Sequence, residues 1–75
     1  MPNYHQRISS SPDVLSGKPV IRGTRISVEL ILTRLAEGAT VEWLLDAWPH
    51  LTRDDVLAAL AYSASVVASE EMLVV

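Results

Sequence analysis

The chain has 75 residues, of which 49% are hydrophobic and 20% are charged, and it contains no cysteine. This length accommodates one small domain, the apolar content excludes a disordered chain, and the missing thiols exclude disulfides and thiolate metal sites. A domain of this size buries only about 60% of its unfolded surface. We therefore expect a second copy or a bound partner to add to its stability, and we do not expect an enzyme with a deep pocket.

The charge is divided unevenly along the chain, whose net charge is −3. Residues 1–34 carry five cations against two acids, net +3, whereas residues 35–75 carry one cation against seven acids, net −6. Such an asymmetry favours two chemically different partners, with a chance division of the charges as the alternative.

The first residues, Met-Pro-Asn-Tyr-His-Gln-Arg, contain no apolar leader. No apolar stretch approaches the roughly 18 residues that a transmembrane helix needs. The sequence therefore predicts a soluble, cytoplasmic protein that does not contact a membrane.

Residues 1–26 are rich in turn-forming residues and carry only short β-branched apolar pieces, among them Val20-Ile21. This pattern predicts an extended arm or β-hairpin, bent at Gly23, where a glycine supplies the positive φ. Pro19 lacks a backbone donor and therefore places this segment at an edge. We expect that edge to pair with its counterpart in a second copy.

From Ser27 onward the apolar spacing becomes helical. The pattern predicts a first helix over about 27–37, with Ser27 as N-cap and Gly38 just beyond its end. A second helix follows the N-cap Thr40 and ends before Pro49. Its inner face is predicted to consist of the apolar residues Val41, Leu44, Leu45 and Trp48.

A third helix is predicted to begin after Thr52, whose capping-box pattern includes Asp55, with Asp54 also in the first turn. Its apolar face is predicted to comprise Val56, Leu57, Leu60, Ala61, Ala64 and Val67. The predicted fold is mainly α: a small tri-helical helix-turn-helix domain with a short N-terminal β-arm or hairpin. One domain covers 1–75, with the arm at 1–26, the helical body at 27–69 and a tail at 70–75.

Several motifs resemble one known family. Residues 17–28 read GKPVIRGTRISV, residues 35–38 read LAEG and residues 48–52 read WPHLT. Together they resemble the domain-of-unknown-function 433 family over about residues 8–65. The resemblance implies a homeodomain-like, winged-helix-related fold. It also implies similarity to VapB-type antitoxins of type II toxin-antitoxin pairs, which are dimers that bind their own operator and use a C-terminal segment to neutralise a toxin with a PIN-like nuclease fold.

The candidate DNA-binding residues are Lys18, Arg22, Arg25 and Arg53. Arg53 is accompanied by two aspartates at the start of the third helix, which disfavours ordinary docking of that helix on phosphates. The sequence therefore assigns the main contact to the basic turn between Lys18 and Arg25, which would act as an arm or ribbon. The alternative is that Arg22 and Arg25 pair with acids and brace the fold.

The candidate partner-binding residues are one aromatic residue and the tail: Trp43, Glu70, Glu71, Met72 and Leu73. An exposed tryptophan is a common interface anchor. The acidic, apolar-ended tail suits the basic rim of a nuclease, and packing of the tail on a dimer mate is the alternative.

No catalytic or metal-binding group is predicted. Asp54 and Asp55 point about 100° apart on a helix and do not converge, and His5 and His50 lack any ligand spacing. We therefore expect no enzyme activity, cofactor or small-molecule substrate. The sequence favours a homodimeric, DNA-binding antitoxin-like module that binds a PIN-like nuclease toxin. The alternative is a protein-interaction module that sequesters a partner without binding DNA.

Overall fold

Two short strands and three helices make up the fold in a computed structural model, which describes residues 4–69. The elements in chain order are β1 (Ile8–Ser9), β2 (Val20–Ile21), α1 (Val28–Ala36), α2 (Val41–Ala47) and α3 (Arg53–Ala68). A 3₁₀ turn at Tyr4–Gln6 precedes β1, and a turn of left-handed conformation at Leu15–Gly17 precedes β2. The predicted class, mainly helical with a short N-terminal β-pair, is confirmed.

The strands β1 and β2 pair antiparallel, with Ile8 opposite Ile21 and Ser9 opposite Val20. The other side of β2 is also occupied, because Val20 forms a bridge to Ser27 and the Ile21 N–H donates to the Ile26 carbonyl at 2.9 Å. The prediction that β2 offers an edge to a second copy is therefore wrong. Both of its hydrogen-bonding edges are used within the chain.

Short polar side chains fix where the first two helices begin. Ser27 Oγ accepts a hydrogen bond from the Leu30 N–H and Thr40 Oγ1 accepts one from the Trp43 N–H, both at 3.0 Å. Gly38 follows α1 with a φ of +100°, a conformation that glycine adopts without strain. The predicted boundaries and caps of α1 and α2 are confirmed to within one or two residues.

A helix-turn-helix unit is formed by α2, the turn at residues 48–52 and α3. The turn is closed by a hydrogen bond from the Leu51 N–H to the Trp48 carbonyl at 2.8 Å. At the start of α3, Thr52 and Asp55 form a complete capping box, in which each side chain accepts from the other's backbone N–H. The predicted capping role of Asp55 is confirmed.

The core lies between the three helices and the β-pair. Ile31, Leu44 and Val56 are the largest side chains that are fully buried, one from each helix. The N-terminal region contributes Ile8 and Ile21 to the same cluster. This region therefore packs on the helical body as part of the core.

The face that α3 turns to the core differs from the predicted one. Val56 is buried as expected, but its buried neighbours are Ala58 and Ala59. Four of the residues assigned to the inner face lie in solvent instead: Leu57, Leu60, Ala64 and Val67. The reason is that α3 has no charged residue after Asp55 and its apolar residues occur on every side, so periodicity alone does not select its buried face. The small side chains of Ala58 and Ala59 allow neighbouring segments to approach closely.

A partly buried ion pair ties the N-terminal segment to α3. Arg7 Nη1 donates to Asp55 Oδ1 at 3.0 Å, and Asp55 Oδ2 accepts from the Thr52 N–H at 3.0 Å. Arg7 Nη2 also lies 3.5 Å from Asp54 Oδ2. Arg7 thus holds the chain entry against the first turn of α3.

We expect Asp55→Ala to destabilise the fold by roughly 1–3 kcal/mol, because it removes an N-terminal cap and the buried partner of Arg7. Asp54→Ala is the matched control, since the Asp54 side chain is 61% exposed whereas that of Asp55 is 9% exposed. The control should change stability by no more than about 0.5 kcal/mol. Urea unfolding of both variants measures the difference, and equal effects would contradict the role given to Asp55.

Candidate functional site

Most of the basic residues lie on or near the turn that joins β2 to α1. Gly23 has a φ of +80°, and Thr24 Oγ1 donates to the Ile21 carbonyl at 2.7 Å while accepting from the Ile26 N–H at 3.0 Å. These bonds hold residues 21–26 in one conformation. The side chains of Arg22 and Arg25 therefore project from a defined turn.

Arg22 is bound to the backbone of the N-terminal segment. Its Nε donates to the Gln6 carbonyl at 3.0 Å and its Nη2 to the Ile8 carbonyl at 3.3 Å. The Arg22 backbone N–H also donates to the Arg7 carbonyl at 2.7 Å. Arg22 therefore braces the N-terminal segment against the turn. Its acceptors are backbone carbonyls, whereas the sequence suggested acidic side chains.

Arg25 is exposed and differs from the other cations of the chain. Within residues 4–69, it is the arginine whose side chain makes no hydrogen bond or ion pair. It lines a shallow open groove of about 280 Å³ together with Lys18, and the groove wall is completed by Leu15, Ser27, Glu29, Leu30 and Thr33. The structure thus brings together two of the four predicted DNA-binding residues.

Lys18 is paired with an acid in this groove. Its Nζ donates to Glu29 Oε1 at 2.9 Å, and this hydrogen bond, with the positive charge of Lys18, lowers the pKa of the Glu29 carboxyl from its ordinary value. Both side chains are more than half exposed. Exposed pairs of this kind contribute little to stability, so Lys18 can exchange Glu29 for another anion at small cost.

The segment that leads into Lys18 has an unusual backbone. Leu15, Ser16 and Gly17 have φ values of +48°, +59° and +88° in succession. Left-handed conformations of non-glycine residues are costly and are concentrated at functional sites. This turn places the exposed Leu15 side chain at the groove, a feature that sequence reasoning missed.

Arg53 lies outside the groove, at the start of α3. Its Nη2 donates to Glu42 Oε2 of α2 at 2.9 Å. The pKa of the Glu42 carboxyl is lowered, first by a hydrogen bond from its own backbone N–H and then by the bond from Arg53. The four predicted DNA-binding residues therefore occupy two separate places on the surface.

The outward side of α2 carries an aromatic residue between acids. Trp43 is 49% exposed, and Glu42 and Asp46 beside it are also exposed. The ring of Trp43 meets that of Trp48 edge to face, with centroids 6.2 Å apart. Trp48 is the C-cap of α2 and is half-buried, whereas the ring of Trp43 remains exposed.

The remaining sequence predictions concern the tail and metal binding. The tail residues Glu70, Glu71, Met72 and Leu73 lie outside the described residues. Among residues 4–69, no group of three or more His, Asp or Glu side chains is arranged to hold a metal ion. The described helices are also too short or too polar to cross a membrane.

Comparison with known proteins gives one consistent result. Residues 8–63 match the model of a family described as "Protein of unknown function (DUF433)". A crystal structure of a DUF433 member protein from Anabaena variabilis has a TM-score of 0.79 to this chain at 32% identity, covering 93% of this chain and 73% of that one. A curated relative from Sinorhizobium fredii, uncharacterized protein y4eO, is 43% identical over 56 residues. That match covers 75% of this chain, which spans about a quarter of the relative's length.

We expect Lys18→Gln to raise the pKa of the Glu29 carboxyl toward its ordinary value, because the variant removes the charge that stabilises the ionised form. In the unmodified chain the pair stabilises the fold above the ordinary glutamate pKa. This contribution disappears as the pH falls through the lowered pKa of Glu29. NMR titration of the glutamate side chains measures the change, with Glu42 as internal control. A Glu29 pKa that stays low in the variant would show that Lys18 is not the cause.

Proposed function

We propose that this chain, which belongs to the DUF433 family, is an antitoxin-like module that binds its operator as a dimer and neutralises a PIN-like nuclease toxin. The observation that carries the proposal is that one small helix-turn-helix body presents surfaces of different chemistry. A cationic groove is formed at Lys18 and Arg25, whereas α3 presents an uncharged apolar face. The first suits phosphates and the second suits proteins.

DNA binding is assigned to the groove rather than to the start of α3. Asp54 and Asp55 occupy the first turn of α3, where a recognition helix would approach the DNA. Their carboxylates repel phosphates, and Arg53 beside them is already paired with Glu42. The partners of Lys18 and Arg53 are similarly exposed acids, whereas Arg25 has no competing partner in the described chain. Contact through the groove therefore requires the least rearrangement.

Nuclease binding is assigned to the outward side of α2 and to the tail. Trp43 supplies a large exposed ring next to Glu42 and Asp46, and such aromatic anchors dominate many interfaces. A surface that binds RNA is basic, so the acids around Trp43 and the tail acids at positions 70 and 71 complement it. The apolar residues at 72–75 suit a groove beside such a surface.

A second candidate is a protein-interaction module that binds no DNA. It is favoured by the use of the cations inside the chain: Arg7, Lys18, Arg34 and Arg53 are in ion pairs, and Arg22 binds backbone carbonyls. The net charge of −3 points the same way. In this candidate the nuclease contacts remain and the groove has no ligand.

We expect Arg25→Ala to weaken operator binding and to reduce the slope of log K against log salt by about one unit for each phosphate that Arg25 neutralises. Titration of the DNA upstream of the gene at several salt concentrations measures both quantities. The control is Arg34→Ala, which removes a cation that pairs with Glu37 outside the groove. Unchanged affinity and slope in a folded Arg25→Ala variant would favour the second candidate.

Arg22→Ala is expected to lower the stability of the fold as well as any DNA affinity, because it leaves the Gln6 and Ile8 carbonyls without this donor. A loss of roughly 1–2 kcal/mol in urea unfolding is expected for hydrogen bonds of this charged type. Arg25→Ala should leave stability within about 0.5 kcal/mol. Equal stability of the two variants would contradict the bracing role of Arg22.

We expect removal of residues 70–75 to abolish inhibition of the nuclease while the truncated chain stays folded and keeps its oligomeric state. Trp43→Ala should also weaken inhibition, because it removes the proposed anchor on α2. Nuclease activity on RNA, together with thermal unfolding and light scattering, separates the two roles of the tail. A truncation that lowers the melting temperature and weakens the dimer instead would show that the tail packs on a second copy.

A further inference from the structure

The outer face of α3 is an uncovered apolar surface. No charged residue occurs between Val56 and Ser69, a run of 14 residues. One side of this run is buried, yet the exposed side also carries large apolar side chains: Leu57 is 40% exposed, Leu60 42% and Val67 66%. Contiguous exposed apolar side chains mark interaction sites on soluble proteins. We therefore expect a second apolar surface to cover this side of α3.

The exposed residues have the spacing of a helix-pairing surface. Leu57, Leu60, Ala64 and Val67 follow at intervals of three, four and three, which places them in one row along α3. Ala61 and Ala68 flank this row and add only small side chains. We call the four residues of the row the α3 seam. Its small members permit close approach of another helix.

The seam is complementary to itself when two copies run antiparallel. About a two-fold axis level with residue 62, Leu60 of one copy faces Ala64 of the other, and Leu57 faces Val67. Each large side chain then meets a smaller one, and the four layers fill evenly. A parallel pair would instead stack leucine on leucine in the first two layers, and alanine on alanine and valine on valine in the other two.

Charge favours the same arrangement. In the antiparallel pair, Arg53 and Asp54 lie near the carboxyl end of the second copy's α3, so the like charges of the two copies are far apart. A parallel pair would bring Arg53 next to Arg53 and Asp54 next to Asp54. A basic nuclease surface is a poorer occupant, because the seam offers it no acid. Glu29 of α1 lines a groove beside Val67, but this acid is paired with Lys18.

We propose that the α3 seam pairs, antiparallel and across a two-fold axis, with the α3 seam of a second copy of this chain. The proposal specifies the self-association on which the proposed operator binding rests. It replaces the pairing through β2, whose edges are occupied within the chain. It also leaves Trp43 and the groove at Lys18 and Arg25 outside the seam.

Sedimentation equilibrium tests the surface. The unmodified chain is expected to dimerise, and Leu60→Glu is expected to raise the dissociation constant by at least about 100-fold, because a carboxylate would enter the apolar contact from each copy. Leu15→Glu is the matched control, since Leu15 is 38% exposed but lies outside α3. This control should dimerise normally. A monomeric unmodified chain at hundreds of micromolar, or equal effects of the two variants, would overturn the proposal.

Engineered disulfides test the direction, and the absence of cysteine from the chain makes the result unambiguous. Under mild oxidation, a mixture of Leu60→Cys and Ala64→Cys chains is expected to form mixed disulfide dimers in clear excess over either variant alone. Disulfides that form mainly between two copies of the same variant would show a parallel seam and overturn the antiparallel register. This measurement also tests whether the α3 seams of two copies pair if Leu60→Glu fails to fold.

Nuclease inhibition separates this inference from the proposed function. A folded, monomeric Leu60→Glu chain that still inhibits the nuclease would support the seam and leave the nuclease contact on α2 and the tail intact. A chain that dimerises through the seam but neither inhibits a nuclease nor binds upstream DNA would contradict the proposed function alone.

Discussion

The fold depends on one carboxylate that satisfies two different requirements. Asp55 is buried, and its two oxygens have separate partners: Oδ2 accepts from the Thr52 N–H and Oδ1 accepts from Arg7. The first bond fixes where α3 begins, and the second fixes where the N-terminal segment lies on α3. A buried charge is tolerated only when it is paired and hydrogen-bonded. The same contact therefore gives Arg7 a structural role.

The arginines at the N-terminal end of this small chain divide into those that organise the backbone and one that is open to a ligand. Arg22 holds the same N-terminal segment as Arg7, since it binds the carbonyls of Gln6 and Ile8 on either side of Arg7. A planar guanidinium with several donors suits this task better than a lysine ammonium. The basic N-terminal half thus uses much of its charge in folding. What remains for a partner is Arg25, together with the loosely paired Lys18.

The features that were predictable from sequence are local ones. The N-caps Ser27, Thr40 and Thr52 were predictable because a cap bonds a backbone N–H only three residues away. The inward face of α3 was not, because its apolar residues point in every direction and tertiary packing makes the choice. The roles of Arg7 and Arg22 depend on partners 48 and 14 to 16 residues distant, respectively. No spacing rule identifies such pairs.

The groove of Lys18 and Arg25 lies near the apolar surface of α3. Glu29 and Thr33 of α1 line the groove of Lys18 and Arg25, and they also line an apolar groove completed by Val66 and Val67 of α3. The two grooves are therefore adjacent, with side chains of α1 between them. A single copy offers few free cations, so one copy alone binds a polyanion weakly. In the proposed dimer, two copies joined through α3 present two such grooves, and binding at the first raises the effective concentration of phosphates at the second. In the proposed function, association of the apolar helix faces is therefore the physical route by which a protein of net charge −3 gains affinity for DNA.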